Sequence, residues 1–298
     1  MITEQQRLER MNSIGGSDAP ILYGLSPYKT AYQLFLEKTG QAEPDNLDGV
    51  DVIQWGNILE VVVADEFSRR SGLTLHRVNK TLHHPEHPFL TGHLDRRVVG
   101  QPALVEIKTV RALDADAIRP DHLVQVQHYM AVTGYDRAHL VYLVSGQRLV
   151  NFTVERDEAF IASLIERELE FWQHVSTRTP PPPQTVADLR LAFPKDAGQV
   201  ITADETIVAT VEQLRAATVQ RKALEAEEER LQAAILSAMG EASELINGDG
   251  KTLATWKQAK PTRTFDRARF EADHPDLAVG YLVEKAGSRR FLLKEVKP

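Results

Sequence analysis

The sequence predicts an α/β fold, a mixed sheet flanked by helices, followed by a separate helical and α+β region. Three observations carry that reading. Segments with helical period and segments with strand period alternate through the first 178 residues. The run "RTPPPPQ" at residues 178–184 then breaks the pattern, because successive prolines neither continue a helix nor join a sheet interior. Beyond it, residues 203–239 hold one long helical pattern. The expected organisation is a first domain at 1–178, a proline-rich linker at 179–202 and a second domain at 203–298.

Taken in order, "TAYQLFLEKTG" reads as a helix stopped by Gly40, and "VIQWGNILEVVVADEFSRRSG" as a longer one ending at Gly72. "LTLHRVN" has the β-branched and alternating character of a strand. "HLDRRVV" and "ALVEIKTV" are two more strands, joined through "GQP" as an antiparallel pair. "HLVQVQHYMAVTG" reads as a helix, "RAHLVYLVSG" as a buried strand and "RLVNFTVER" as its hairpin partner. The amphipathic "DEAFIASLIERELEFWQHV" closes the domain. In the long C-terminal helix, Ile207, Leu214, Leu224, Leu231 and Ile235 lie on a heptad seam, which Arg221 and Glu228 interrupt. That interruption favours packing on its own domain over a free coiled coil. Two hairpins are expected after it, one turning at "NGDG" and one in "YLVEKAGSRRFLLKEV", with a short helix in "FDRARFEADHP" between them.

Composition narrows the functional classes. With 42% hydrophobic and 26% charged residues the chain is globular rather than disordered. No cysteine is present, which excludes a disulfide framework and a thiolate metal site. The N-terminal stretch lacks a signal-peptide apolar core and no run has the length of a membrane span, so a cytoplasmic location is expected. A net charge of −7 gives no bulk attraction to nucleic acid, so any DNA contact must be local. There is no Walker A loop, G-x-S-x-G elbow or dinucleotide fingerprint. The histidines of "LHHPEHPFLTGH" do not have the spacing of a helical zinc motif and read as loop residues.

The chemistry-bearing stretch is "TGHLDRRVVGQPALVEIKTV", residues 91–110. In a strand, residues two apart share a face, so Val105 and Ile107 point one way and Glu106 and Lys108 the other. Alone, that alternation is what any strand with one solvated face shows. Asp95 adds weight, because the hairpin places it on the neighbouring strand, where two carboxylates can converge on one hard divalent cation. Lys108 on the same face is a candidate to orient water or stabilise charge on a phosphate.

On these residues the sequence resembles the PD-(D/E)xK (restriction-endonuclease-like) superfamily, and within it the phage lambda exonuclease-like branch of YqaJ-type viral recombinases. Three further stretches support the resemblance, in the order of that branch. "WGNILEVVVADEF" resembles its helix carrying an additional metal-site acid, which maps to Glu60, while Asp65 and Glu66 read as solvated. "HLVQVQHYMAVTG" resembles its Gln-x-x-x-Tyr helix, which maps to Gln125 and Tyr129, with Gln127 as a competitor. "RMNSIGGSDAPILYGLSPYKTAYQLFLEKTG" resembles its opening motif, whose arginine and serine map to Arg10 and Ser17 as holders of a 5′-terminal phosphate. Ser17 and Asp18 there suit a helix N-terminus, an end that attracts phosphate. Arg96, directly after the metal aspartate, departs from the pattern and receives no role.

The resemblance implies a magnesium-dependent 5′-to-3′ exonuclease on double-stranded DNA ends, with manganese as a substitute ion. It implies Glu60, Asp95 and Glu106 as metal ligands, with Lys108 and Gln125 positioning water and phosphate. A homo-oligomeric ring, a trimer in related proteins, and a single-strand annealing partner follow from the same resemblance. The alternatives are an endonuclease of the same superfamily and a non-catalytic nuclease-like module for binding or assembly.

Overall fold

The computed structural model describes residues 4–45, 49–113, 117–284 and 287–294, with side chains from residue 8 onward. It divides into two compact units, Met1–Ala192 and Phe193–Pro298.

The first unit opens with helix α1 (Glu4–Met11), a two-residue strand β1 (Ile14–Gly15) and a single turn α2 (Ala19–Leu22). Helix α3 (Ala31–Lys38) starts at a full capping box. There the Thr30 hydroxyl accepts from the Gln33 amide and the Gln33 side chain accepts from the Thr30 amide. Helix α4 (Asp51–Ser71) stops at Gly72, whose φ of 72° is the left-handed conformation that glycine adopts without penalty. Strands β2 (Leu75–Arg77), β3 (Leu82–His83), β4 (Leu90–Gly92), β5 (Arg96–Val98) and β6 (Ala103–Val110) follow. The unit continues with α5 (Pro120–Thr133), β7 (Arg137–Val144), β8 (Arg148–Glu155), α6 (Glu158–Thr177) and α7 (Val186–Ala192).

The main sheet has the order β2-β5-β6-β7-β8. Among its described strands only β6 and β7 pair in parallel, and α5 supplies the crossover that a parallel pair requires. Helix α4 covers one face, where Val63, Ala64 and Phe67 pack on Val98, Val105, Ile107 and Val141. Helix α5 covers the other, where Val126, Tyr129 and Met130 pack on Leu104, Leu140 and Tyr142. Both faces of β6 are therefore buried, and a polar residue on it must find a protein partner. The α/β class with a mixed, helix-flanked sheet holds. A second sheet, β1-β4-β3, was not legible in the sequence, because strands of two or three residues carry no period.

The first unit extends past 178, through the proline run and α7. Asp188 of α7 is fully buried. It accepts hydrogen bonds from the Gln184 and Thr185 amides and, at 2.7 Å, from the Thr30 hydroxyl at the cap of α3. The segment 179–202, read from sequence as a linker, thus contains a helix docked by a long-range polar contact.

The second unit holds the long helix α8 (Glu205–Met239), capped by Asp204, and the antiparallel pair β9 (Glu244–Ile246) and β10 (Thr252–Thr255). Their turn forms around the Asn247 side chain, which accepts from the Asp249 and Lys251 amides. Helices α9 (Arg267–Asp273) and α10 (Pro275–Gly280) follow. The seam residues Ile207, Leu214, Leu224, Leu231 and Ile235 are exposed, so the expected packing of that face is not found among the described residues. Nor do the described residues of the expected second hairpin, 281–296, form strands; 285, 286 and 295–298 lie outside the description.

Candidate active site

Strands β5 and β6 pair antiparallel, with Arg96 opposite Val105 and Arg97 opposite Leu104. One step further along that register Asp95 comes opposite Glu106. Its Oδ2 accepts a hydrogen bond from the Ile107 amide at 2.8 Å, which ties the acid to the neighbouring strand just before β5 begins. Val105 and Ile107 face α4, whereas Glu106 reaches Gln125 of α5, as strand alternation requires.

Glu106 is 4% exposed. Its Oε1 receives Lys108 Nζ at 2.8 Å and Gln125 Nε2 at 3.0 Å. Its Oε2 is buried with no hydrogen-bond partner among the described residues. Burial, and then the charge of Glu106, push the Asp95 carboxyl up to about 8. Burial works against the Lys108 charge, but Glu106 beside it outweighs that and raises the lysine above its ordinary value. The pair and its lysine thus stand on one face, with one acid protonated at neutral pH and the ammonium charged.

Helix α5 supplies the wall above them. The Gln125 amide nitrogen donates to Glu106 and also to the Tyr129 hydroxyl at 3.0 Å, which uses both of its hydrogens. Tyr129 is held well above the usual phenol range by burial and by Glu106. Its ring lies so close to Gly16 that a Cβ there would sit 2.3 Å from a ring carbon. The opening turn therefore rests on the same residue that partners Gln125. Gln127, two positions on, faces away. It donates to the Glu155 carbonyl and accepts from the Asp157 amide, holding β8 to α6. Of the two glutamines, Gln125 is the one at the site.

His122, in the first turn of α5, contacts the Tyr142 hydroxyl at 3.0 Å. Burial first, and then the Lys108 charge, lower its pKa to about 4, so it is neutral beside the lysine. Nothing in the local sequence signals this placement.

Ser17 lies exposed in the turn between β1 and α2. The helix-end reading of the opening motif changes here, because α2 is one turn long and Asp18, at its N-cap, makes no capping bond. The Asp18 side chain instead accepts from the Gly15 amide and from Lys38 Nζ at 2.7 Å. Arg10 is exposed at the end of α1, and its carbonyl accepts from the same lysine. The His93 pKa is lowered by burial and then by Arg10, which places the arginine charge near the residue two before Asp95.

Glu60 lies on α4, close enough for its charge to add to those that raise Asp95, but its Oε1 is held by Arg96 Nη1 at 2.6 Å. Arg96 Nη1 also donates to the Asp95 carbonyl at 2.6 Å. Among the described residues no three His, Asp or Glu side chains gather closely enough to hold a metal ion. The loop histidines are no exception. Glu66, read as solvated, is paired with Arg69 and Arg70 on the surface.

Asp95 and Glu106 nevertheless fit a hard divalent cation. Glu106 offers a buried oxygen without a partner among the described residues, and Asp95 is kept from ionising first by burial and then by the like charge of Glu106. Oxygen donors in that condition are what such an ion satisfies.

Over 179 residues the chain is 38% identical to a protein called YqaJ, itself uncharacterized, from Bacillus subtilis (strain 168). The match takes in 58% of this chain and 56% of that protein, so the chain spans little more than half the length of the curated relative it matches. Among solved structures it is similar to the alkaline exonuclease LHK-Exo from Laribacter hongkongensis. The identity there is 18% and the TM-score 0.48, covering 59% of this chain and 94% of that one. It is also similar to a phage-related exonuclease from Haemophilus somnus 129PT, at 16% identity and a TM-score of 0.43, covering 56% of this chain and 96% of the other. No helix among the described residues is long and apolar enough to cross a membrane. Residues 5–136, which include the opening turn, α4, the β5–β6 pair and α5, match the model of the YqaJ-like viral recombinase domain family.

Proposed function

We propose that the first unit is a metal-dependent deoxyribonuclease that degrades double-stranded DNA ends in the 5′-to-3′ direction. The observation that carries this reading is the cluster of Asp95, Glu106, Lys108 and Gln125 on one face, with a buried Glu106 oxygen lacking a partner. The relatives named alkaline exonuclease and phage-related exonuclease agree with it.

Asp95 and Glu106 are the residues that would hold the ion, magnesium by preference and manganese in its place. When bound, such an ion neutralises phosphate charge and makes water a better nucleophile. Asp95 gives up its proton on joining that site, since a carboxylate ligand must be ionised. Lys108, charged and anchored on Glu106, offers hydrogens to a phosphate oxygen at the same edge. Gln125 fixes Glu106 from above, and Tyr129 fixes Gln125. Ser17 and Arg10, both exposed, are the residues for a terminal 5′ phosphate, Arg10 through charge-assisted bonds. The product is a 3′ single strand suited to an annealing protein, and the acting form is a homo-oligomeric ring.

The single-turn α2 removes one element of the expected end pocket, so a test must also admit endonuclease activity. Purified protein with magnesium is given a linear duplex with 5′ phosphates, the same duplex with 5′ hydroxyls, and a closed circle. Loss of the phosphorylated linear duplex alone, absent in a Glu106→Ala, Lys108→Ala variant, is the expected result. Cleavage of the circle points to an endonuclease. Intact DNA in every tube, with either ion, leaves a nuclease-like module without catalysis.

A further inference from the structure

Arg96 is the residue that the family resemblance left without a role. It is 7% exposed and follows the metal-site aspartate directly. One of its guanidinium nitrogens, Nη1, lies 2.6 Å from both Glu60 Oε1 and the Asp95 backbone carbonyl. A carboxylate oxygen and a peptide oxygen converging on one positive centre is the donor geometry of a cation site. Here the positive centre is covalently part of the protein.

The faces of the sheet explain why the arginine can stand there. Arg96 pairs with Val105, on the α4 side of β6, whereas Glu106 and Lys108 look toward α5. Asp95 sits at the strand end between them, with its carboxyl bound to the Ile107 amide and its carbonyl to Arg96. Two oxygen-rich sites thus share Asp95. One, with Glu106, contains an unpartnered oxygen; the other, with Glu60, is already filled by the guanidinium. Glu60 and Arg96 cancel. Once Asp95 is ionised, as a ligand must be, Asp95 and Glu106 face only the single positive charge of Lys108, and a divalent ion supplies the positive charge they lack.

We infer that Arg96 is a built-in counterion that withholds Glu60 from the metal, so that the site holds one divalent cation between Asp95 and Glu106. Arg96 is a positioning residue, acting on ion number and on the placement of α4 rather than on the substrate. This rests on the metal-dependent reading above and makes it more specific. It differs from the expectation that Glu60 completes the metal shell.

The test counts ions and needs no substrate. Manganese is titrated calorimetrically into the full-length protein, and the bound ion is counted independently by electron paramagnetic resonance. Wild type is expected to bind one ion, weakened at least about tenfold by Asp95→Asn. Glu60→Gln should leave that ion within about threefold of its wild-type affinity, because Glu60 is not its ligand. Arg96→Met frees both oxygens and should admit a second ion, which Arg96→Met combined with Glu60→Gln removes again. Arg96→Lys, which keeps the charge, should stay at one. A thermal melt of each variant without metal identifies any that fail to fold, and the Glu60→Gln arm keeps the inference open to refutation if Arg96→Met is among them. Two ions on the wild type, or loss of its single ion in Glu60→Gln, overturns the inference and leaves the metal-dependent reading standing. No ion on the wild type overturns both.

Discussion

In the metal-free protein Asp95 is held protonated to about pH 8, first by burial and then by Glu106. An unfolded chain releases that proton near the ordinary carboxylate value, about 3.9. Between those two values the folded state binds more protons than the unfolded one, so stability falls as pH rises from about 4 to about 8 and then levels off. Urea midpoints of the metal-free protein should show that decline, and Asp95→Asn should flatten it. Manganese should reverse it, because the ion takes the place of the proton. A close approach gives a second expectation at this scale. A methyl group on Gly16 would meet the Tyr129 ring at 2.3 Å, and the ring cannot retreat without disturbing Gln125 and, through it, Glu106. Gly16→Ala should cost about 1–3 kcal/mol, a typical overpacking cost, and should lower the rate of DNA hydrolysis more than Gly248→Ala, a glycine with open space around it and no left-handed backbone. Some of these residues were readable in advance. Glu106 and Lys108 were, because strand period puts alternate residues on one face. Gln125 and Gln127 could not be separated, since which side of α5 meets the sheet is a tertiary fact. Arg96 was not readable, as its partner Glu60 lies on α4, far away in sequence.

At the scale of elements, α5 is held in register by a buried ion pair that the nuclease reading does not use. His128 Nδ1 meets Glu168 Oε1 of α6 at 2.7 Å, and Nε2 meets the Thr91 carbonyl of β4 at 2.9 Å. Both side chains are fully buried. Burial disfavours the imidazolium, but Glu168 outweighs it and raises the histidine. One pair therefore fastens α5 to α6 and to the small sheet, one turn away from Gln125. Removing half of it leaves the other half uncompensated. Glu168→Ala should destabilise the protein by about 3–5 kcal/mol, whereas replacing both residues by apolar ones of similar volume should cost much less. Chemical denaturation of the two variants distinguishes the cases, and a single variant as stable as wild type would contradict the pairing. The long helices and the β6–β7–β8 strands were legible because each is long enough to show its period and carries its own stop, such as Gly72 or Gly134 in the left-handed conformation. Strands β1, β3 and β4 exist only through pairing with one another, and no residue pattern of two or three positions announces that.

At the scale of the whole molecule, the question is where the first unit ends. Four prolines mark an extended segment, and a sequence reader places a boundary there because nothing local continues. The chain does not leave the unit at that point. It runs on to α7, where Asp188 is desolvated and yet held below the usual carboxylate range, chiefly by the Thr30 hydroxyl and the Thr185 amide. The receiving group is the N-cap of α3, and α3 carries Lys38, which binds Asp18 in the opening turn. A contact made after the prolines thus reaches, through one helix, the segment that rests on Tyr129. Cutting the chain at 178 would leave the Thr30 cap without its partner and remove the α7 surface, while cutting after Ala192 would keep both. A fragment of residues 1–192 should unfold in one cooperative transition and still bind manganese through Asp95 and Glu106. A fragment of residues 1–178 should melt several degrees lower, since about 1 kcal/mol shifts the midpoint of a domain this size by roughly 2–4 °C. Thr30→Val in the longer fragment should reproduce part of that loss, because it removes the hydroxyl that both binds Asp188 and caps α3. Equal melting temperatures for the two fragments would place the boundary back at the prolines and make α7 a passenger.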